Sequence, residues 1–159
     1  MANVKEKPIW KFKVTGEHET PTKSNTTARD KTYIIDEPVM RGGTDLGPMP
    51  VEYVFMGLVG CTHVISNKLA KANGIAFHEM DIEIDVTMDS HGTRLINAID
   101  IPFPEVTLHI TAKYDGPRDG ALEVVKKLRH YCAVSKMLQE SGTRVTENWV
   151  LNGEAIASA

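Results

Sequence analysis

Two cysteines, Cys61 and Cys132, are the only thiols in the chain, and a thiol pair suggests redox chemistry. A thiolate, rather than a protonated thiol, attacks an electrophile. With a peroxide, that attack leaves a sulfenic acid, which a second thiol can trap as a disulfide. The competing reading is that both cysteines are small, inert hydrophobes of the core. Cys61 lies in an apolar run, where desolvation raises a thiol pKa and opposes thiolate formation. A reactive Cys61 therefore needs a cation supplied by folding. Arg29 and Arg41 are the candidates in the N-terminal region, because a guanidinium holds a fixed bidentate geometry that Lys and His do not. Glu52, nine residues before Cys61, could orient such an arginine, or it could be only a favourable charge in the first turn of a helix.

Other chemistries have less support. Cys61, His63, His78, His91, His109, His130 and Cys132 are eligible zinc ligands, but they lack compact paired spacing. The loop Arg41–Pro50 is rich in glycine and proline, yet has no Gly-Lys-Ser/Thr ending and no dinucleotide fingerprint. His130, two residues before Cys132, could line or gate a pocket. His63 turns about 200° away from Cys61 on a helix, and Ser135 has no acid–base partners in sequence to make a hydrolase. No metal, flavin or nicotinamide requirement follows from these residues.

The 159 residues, 42% of them hydrophobic, fit one domain with a sizeable core. A net charge of -3 and a pI near 6.1 supply no broad cationic surface for nucleic acid or anionic lipid. Two cysteines do not make a disulfide scaffold, no signal-like segment opens the sequence, and no apolar run is long enough to span a membrane. The expectation is a cytoplasmic protein that binds neither nucleic acid nor membrane.

The elements that must position the cysteines are legible in outline. Trp10, Phe12 and Val14 alternate with lysines as a strand would, and Thr32–Ile35 is a second strand candidate. Gly16–Thr27 reads as a polar stretch, and 41–50 as a loop. Val51 to about Lys71 is apolar around nearly the whole circumference of a helix, which predicts burial on all sides. Gly57 and Gly60 cost helicity there but permit close approach of another backbone. Alternation predicts strands over 81–88 and 105–114, with 94–99 as a further short strand. Leu122 to Leu138 has helical spacing in two pieces separated near 130–132, and 145–151 is a last strand before a small-residue tail. The composite is an α+β fold. One chain has little sheet with which to wrap such an apolar helix, so a homodimer is expected.

Gly42-Gly43-Thr44-Asp45-Leu46-Gly47-Pro48-Met49-Pro50, leading through Val51-Glu52-Tyr53 to Gly60-Cys61-Thr62, together with Tyr131-Cys132-Ala133-Val134-Ser135-Lys136-Met137-Leu138, resembles the OsmC/Ohr family of thiol-dependent peroxidases. The likeness runs from about Thr32 to Leu151 of a single 1–159 domain, with 1–31 less securely matched. Met49 stands where the family usually has Asn, and Ala133 where it often has Pro. The resemblance implies an intertwined homodimer with central helices enclosed by antiparallel sheets. It also implies Cys61 as the peroxide-reacting cysteine, Cys132 as the resolving cysteine, Glu52 as the carboxylate holding an arginine, and Arg29 as that arginine, with Arg41 its competitor. The implied substrates are an organic hydroperoxide or hydrogen peroxide with a dithiol reductant. A non-enzymatic redox sensor or small-ligand-binding protein, or a structural homodimer with inert cysteines, are the alternatives.

Overall fold

The computed structural model describes residues 9–156, so residues 1–8 and 157–159 of the expected 1–159 domain lie outside the described residues. The chain divides into two compact units, Met1–Val54 and Phe55–Ala159.

The first unit holds a three-stranded antiparallel sheet, β1 (Val14–His18), β2 (Ser24–Ala28) and β3 (Lys31–Ile35), in that order. The alternating Ile9–Lys13 run precedes β1 without joining it, and Trp10 and Phe12 place their rings 5.3 Å apart. Strand β2 falls in the stretch read as merely polar. Its sequence Ser-Asn-Thr-Thr-Ala lacks apolar alternation, but β-branched threonines suit a strand once neighbours on both sides satisfy its backbone. After β3 the chain makes one 3-10 turn, Val39–Arg41, and a loop to the first helix. Gly43 and Gly47 have no substitute there: a Cβ on Gly43 would collide with the Glu37 carbonyl, and one on Gly47 with the Ile34 carbonyl.

Helix α1 (Pro50–Ala72) leaves this loop and carries Cys61. Phe55, Leu58, Thr62, Ser66 and Ala70 recur every three or four residues as its buried stripe. The expected burial on all sides is not met within one chain: Met56 and Val64 remain 53% and 49% exposed.

In the second unit a four-stranded sheet runs in the order β4 (Ala76–Thr87), β5 (Glu105–Asp115), β6 (Arg144–Leu151), β7 (Glu154–Ile156). Val106, Leu108, Ile110 and Ala112 of β5 are buried while His109, Thr111 and Lys113 face water, the alternation that the sequence displays. All neighbours pair antiparallel except β5 and β6, which are parallel. Parallel neighbours need a long crossover, and two helices supply it: α2 (Arg118–Tyr131) and α3 (Ala133–Glu140), broken at Cys132 as the spacing predicts. The expected strand over 94–99 is instead the end of a turn followed by irregular chain, with Leu95 at a φ of 57° that extended backbone cannot hold. Strand β7 lies in the presumed tail, reached by an Asn152-Gly153 turn with both residues at positive φ. The core joins Leu58, Leu108, Val124, Leu128, Cys132 and Trp149.

Candidate active site

Cys132 occupies the break between α2 and α3. Its backbone is extended (φ -74°, ψ 107°), yet it closes both helices: its N–H donates to Leu128 O and its carbonyl accepts from Lys136 N, each at 2.9 Å. It is the N-cap residue of α3, where sequence favours a polar acceptor, and its side chain makes no capping hydrogen bond. The side chain is fully buried. Burial pushes its pKa up to about 11, interaction with the Cys61 thiol adds to the rise, and the Ser135 N–H and the Thr62 hydroxyl pull against it.

Cys61 sits midway along α1, half-buried, and packs against the core cluster that contains Cys132. Both cysteines are free thiols. Residues far apart in sequence, both selected by type alone, thus interact at the boundary between α1 and the α2–α3 break. Thr62, beside Cys61, and Ser66, one turn later, are fully buried, and neither hydroxyl has a hydrogen-bond partner among the described residues.

Glu52 lies in the first turn of α1 and its Oε2 accepts the Met49 N–H at 2.7 Å. This is the carboxylate half of a capping box, in which the third helical residue reaches back to the N-cap N–H. Arg41 donates to Glu37 Oε2 at 3.4 Å and to Met49 Sδ at 3.6 Å. Arg41 and Glu52 therefore both touch Met49. Arg29 stands in the two-residue turn between β2 and β3 at a φ of 59° and lines an open groove of about 460 Å³ with Trp10, Phe12, Lys11 and Lys13. Among the described residues, no hydrogen bond or ion pair joins Glu52 to either arginine.

Sequence reasoning passed over three other positions. Asp36 is fully buried; its Oδ2 accepts from the Thr44 hydroxyl, Thr44 N (3.0 Å) and Leu46 N (3.3 Å), and its Oδ1 from Glu37 N (2.8 Å), which fixes the glycine loop that leads to α1. Gln139 Nε2 reaches Ser135 Oγ at 3.0 Å and the Arg129 carbonyl at 3.4 Å, while Arg129 donates to Gln139 Oε1 at 3.3 Å. These bonds tie α3 to the end of α2 across the break. Glu147 accepts from Trp149 Nε1 at 3.3 Å, and burial raises its pKa against the pull of that bond and of the Arg129 charge. Only the Asp36-x7-Thr44 pairing had a local signal, an Asp entering a glycine-rich loop.

His63 and His130 are exposed, and no group of three or more residues able to hold a metal occurs among the described residues. Among those residues no helix is long and apolar enough to cross a membrane.

The family described as OsmC-like protein matches residues 43–148. No curated protein matches the chain. Among solved structures, an OsmC-like protein from Mycoplasma pneumoniae superposes with a TM-score of 0.74 at 17% identity, over 89% of this chain and 97% of that one. An organic hydroperoxide resistance protein OsmC from Legionella pneumophila gives 0.60 at 14% identity over 91% and 98%. OhrB, the organic hydroperoxide resistance protein of Bacillus subtilis, gives 0.56 at 19% identity over 90% and 98%. At these identities the likeness is one of fold. With two thirds of its length matched by the family and its α+β architecture shared with these structures, the chain belongs to the OsmC/Ohr family.

Proposed function

We propose that this protein is a thiol-dependent peroxidase that reduces organic hydroperoxides, and hydrogen peroxide less efficiently, in a reducing cytoplasmic setting. The observation that carries the reading is the interaction of two free thiols, one half-buried and one fully buried. The Cys61 thiolate attacks a peroxide oxygen: the S–O bond forms, the O–O bond breaks, and the alkoxide leaves as alcohol after taking a proton. Cys132 then attacks the sulfenic sulfur; an S–S bond forms, the S–O bond breaks, and the hydroxyl departs as water with the proton of the Cys132 thiol. A dithiol reductant returns both cysteines to thiols. Glu52 orients a guanidinium that favours the Cys61 thiolate, and Arg29 is the residue that the resemblance designates. Arg41 competes for that role, since it already shares Met49 with Glu52. The working unit is a homodimer.

A redox sensor is the second reading, and the raised pKa of Cys132 favours it: little of this sulfur is thiolate at neutral pH, so a sulfenic acid on Cys61 would persist. Turnover of an organic hydroperoxide with a dithiol separates the two. The peroxidase reading expects multiple turnovers, their loss in Cys61→Ser, and sulfenic acid accumulating on Cys61 in Cys132→Ser. Turnover undiminished in Cys61→Ser would remove it from the chemistry, whereas a single oxidation without turnover in the unaltered protein is the sensor.

A further inference from the structure

Methionine carries the other sulfur that a peroxide can oxidise, and Met49 holds its sulfur against a cation. It lies between Pro48 and Pro50, whose rings restrict the backbone on either side of it. Its N–H donates to Glu52 Oε2 at 2.7 Å and its carbonyl accepts from Tyr53 N at 3.3 Å. The thioether therefore projects from a fixed point. Arg41 Nη1 donates to that sulfur at 3.6 Å and to Glu37 Oε2 at 3.4 Å. A thioether is a weak acceptor, so the guanidinium is shared between a weak bond to sulfur and a long one to a carboxylate. A better acceptor at the sulfur would hold it.

We propose that Met49 is a reversible oxidation site for hydroperoxides, and that its sulfoxide clamps Arg41 to the start of α1. Met49 is half-buried and Arg41 exposed, which leaves the pair within reach of a small oxidant. One sulfur lone pair meets Arg41, and the other attacks the terminal oxygen of the hydroperoxide. The S–O bond forms, the O–O bond breaks, and the hydroperoxide proton passes through water to the alkoxide, which leaves as alcohol. The thioether loses two electrons and the peroxide gains them. The sulfoxide is polar, its oxygen accepts a hydrogen bond more strongly than the sulfur did, and the donor already stands beside it. In an apolar core the same product disrupts packing; at Met49 it meets a guanidinium. Methionine sulfoxide reductases return it to the thioether. Neither cysteine takes part, so the site does not depend on the peroxidase reading.

The test treats the full chain with excess hydrogen peroxide beside Met49→Leu, which keeps the bulk and has no sulfur at that position. Changes at the thiols and at the other methionines are common to both. Peptide mass spectrometry should find one added oxygen on Met49 before Met80, which is half-buried as well but packs against the core. Nuclear magnetic resonance should show exchange of the Arg41 guanidinium protons slowed roughly three- to tenfold by oxidation, the worth of one ordinary hydrogen bond, with no slowing in Met49→Leu. Methionine sulfoxide reductases should restore the original rate. The proposal is overturned by a Met49 that stays a thioether once Met80 is oxidised, by exchange that its sulfoxide leaves unmoved, or by equal slowing in Met49→Leu. Absence of catalytic turnover would remove the peroxidase reading alone, and slowed Arg41 exchange in such a protein would still uphold the site.

Discussion

Asp36 shows how much one side chain can do at a distance in sequence from the thiols. It carries no reactive role, yet four donors converge on its carboxylate and fix the loop from which α1 springs. The Thr44 hydroxyl lowers its pKa most, against the cost of desolvation, and the N–H groups of Leu46, Thr44 and Glu37 add to the effect, holding it at about 2. The folded pKa lies below the ordinary Asp value of about 3.9, so the stabilisation is complete above that value and is lost as pH falls toward about 2. Urea unfolding as a function of pH should therefore show a falling midpoint across that window, and Asp36→Asn should start less stable at neutral pH and show a shallower acid slope. An unchanged slope in Asp36→Asn would assign the acid sensitivity to other carboxylates. The cysteines stood out by residue type, because few side chains can serve as a nucleophile, whereas their packing into one core was not displayed by the sequence. Asp36, Thr62 and Gln139 did not stand out, because their significance lies in which partners folding gives or denies them.

At the scale of elements, α1 and the broken α2–α3 pair were legible from periodicity, and β5 from alternation, since each buries one regular face. Strand β2 was hidden because its inner and outer faces are both polar, and the 94–99 segment misled because it is rich in apolar residues, Leu95, Ile96, Ala98 and Ile99, without forming a sheet. The break at Cys132 depends on something sequence did not display: Gln139 bridges the last turn of α2 and the first turn of α3. Removing it strands the Ser135 hydroxyl, itself buried, and frees the two helices to change their angle. Gln139→Ala should cost about 1–3 kcal/mol in denaturant unfolding and, more tellingly, raise the alkylation rate of Cys132 under native conditions while global stability still exceeds that of local opening. Protection of Cys132 equal to that of the unaltered protein would show that Leu128 and Lys136 hold the break without Gln139.

For the whole molecule, the exposed side of α1 is the unresolved surface of the single chain. Met56 and Val64 are about half exposed, and a Cβ on Gly57 or Gly60 would meet nothing within 4 Å among the described residues. Were that face bathed in water, Ala at either position would stabilise the helix by roughly 1 kcal/mol; glycine is the better residue only where another backbone must come close. A second copy of this chain is the partner that the family resemblance implies, and helix-to-helix contact across such a face would complete the burial that the sequence predicts for α1. The expected outcome is a dimer in sedimentation equilibrium at micromolar protein. Gly60→Leu, whose side chain has ample room in one chain alone, should leave the monomer folded and shift the equilibrium strongly toward it. If Gly60→Leu sediments as a dimer of unchanged affinity, the contact lies on some other face, and the glycines of α1 have no structural reason that one chain or two can supply.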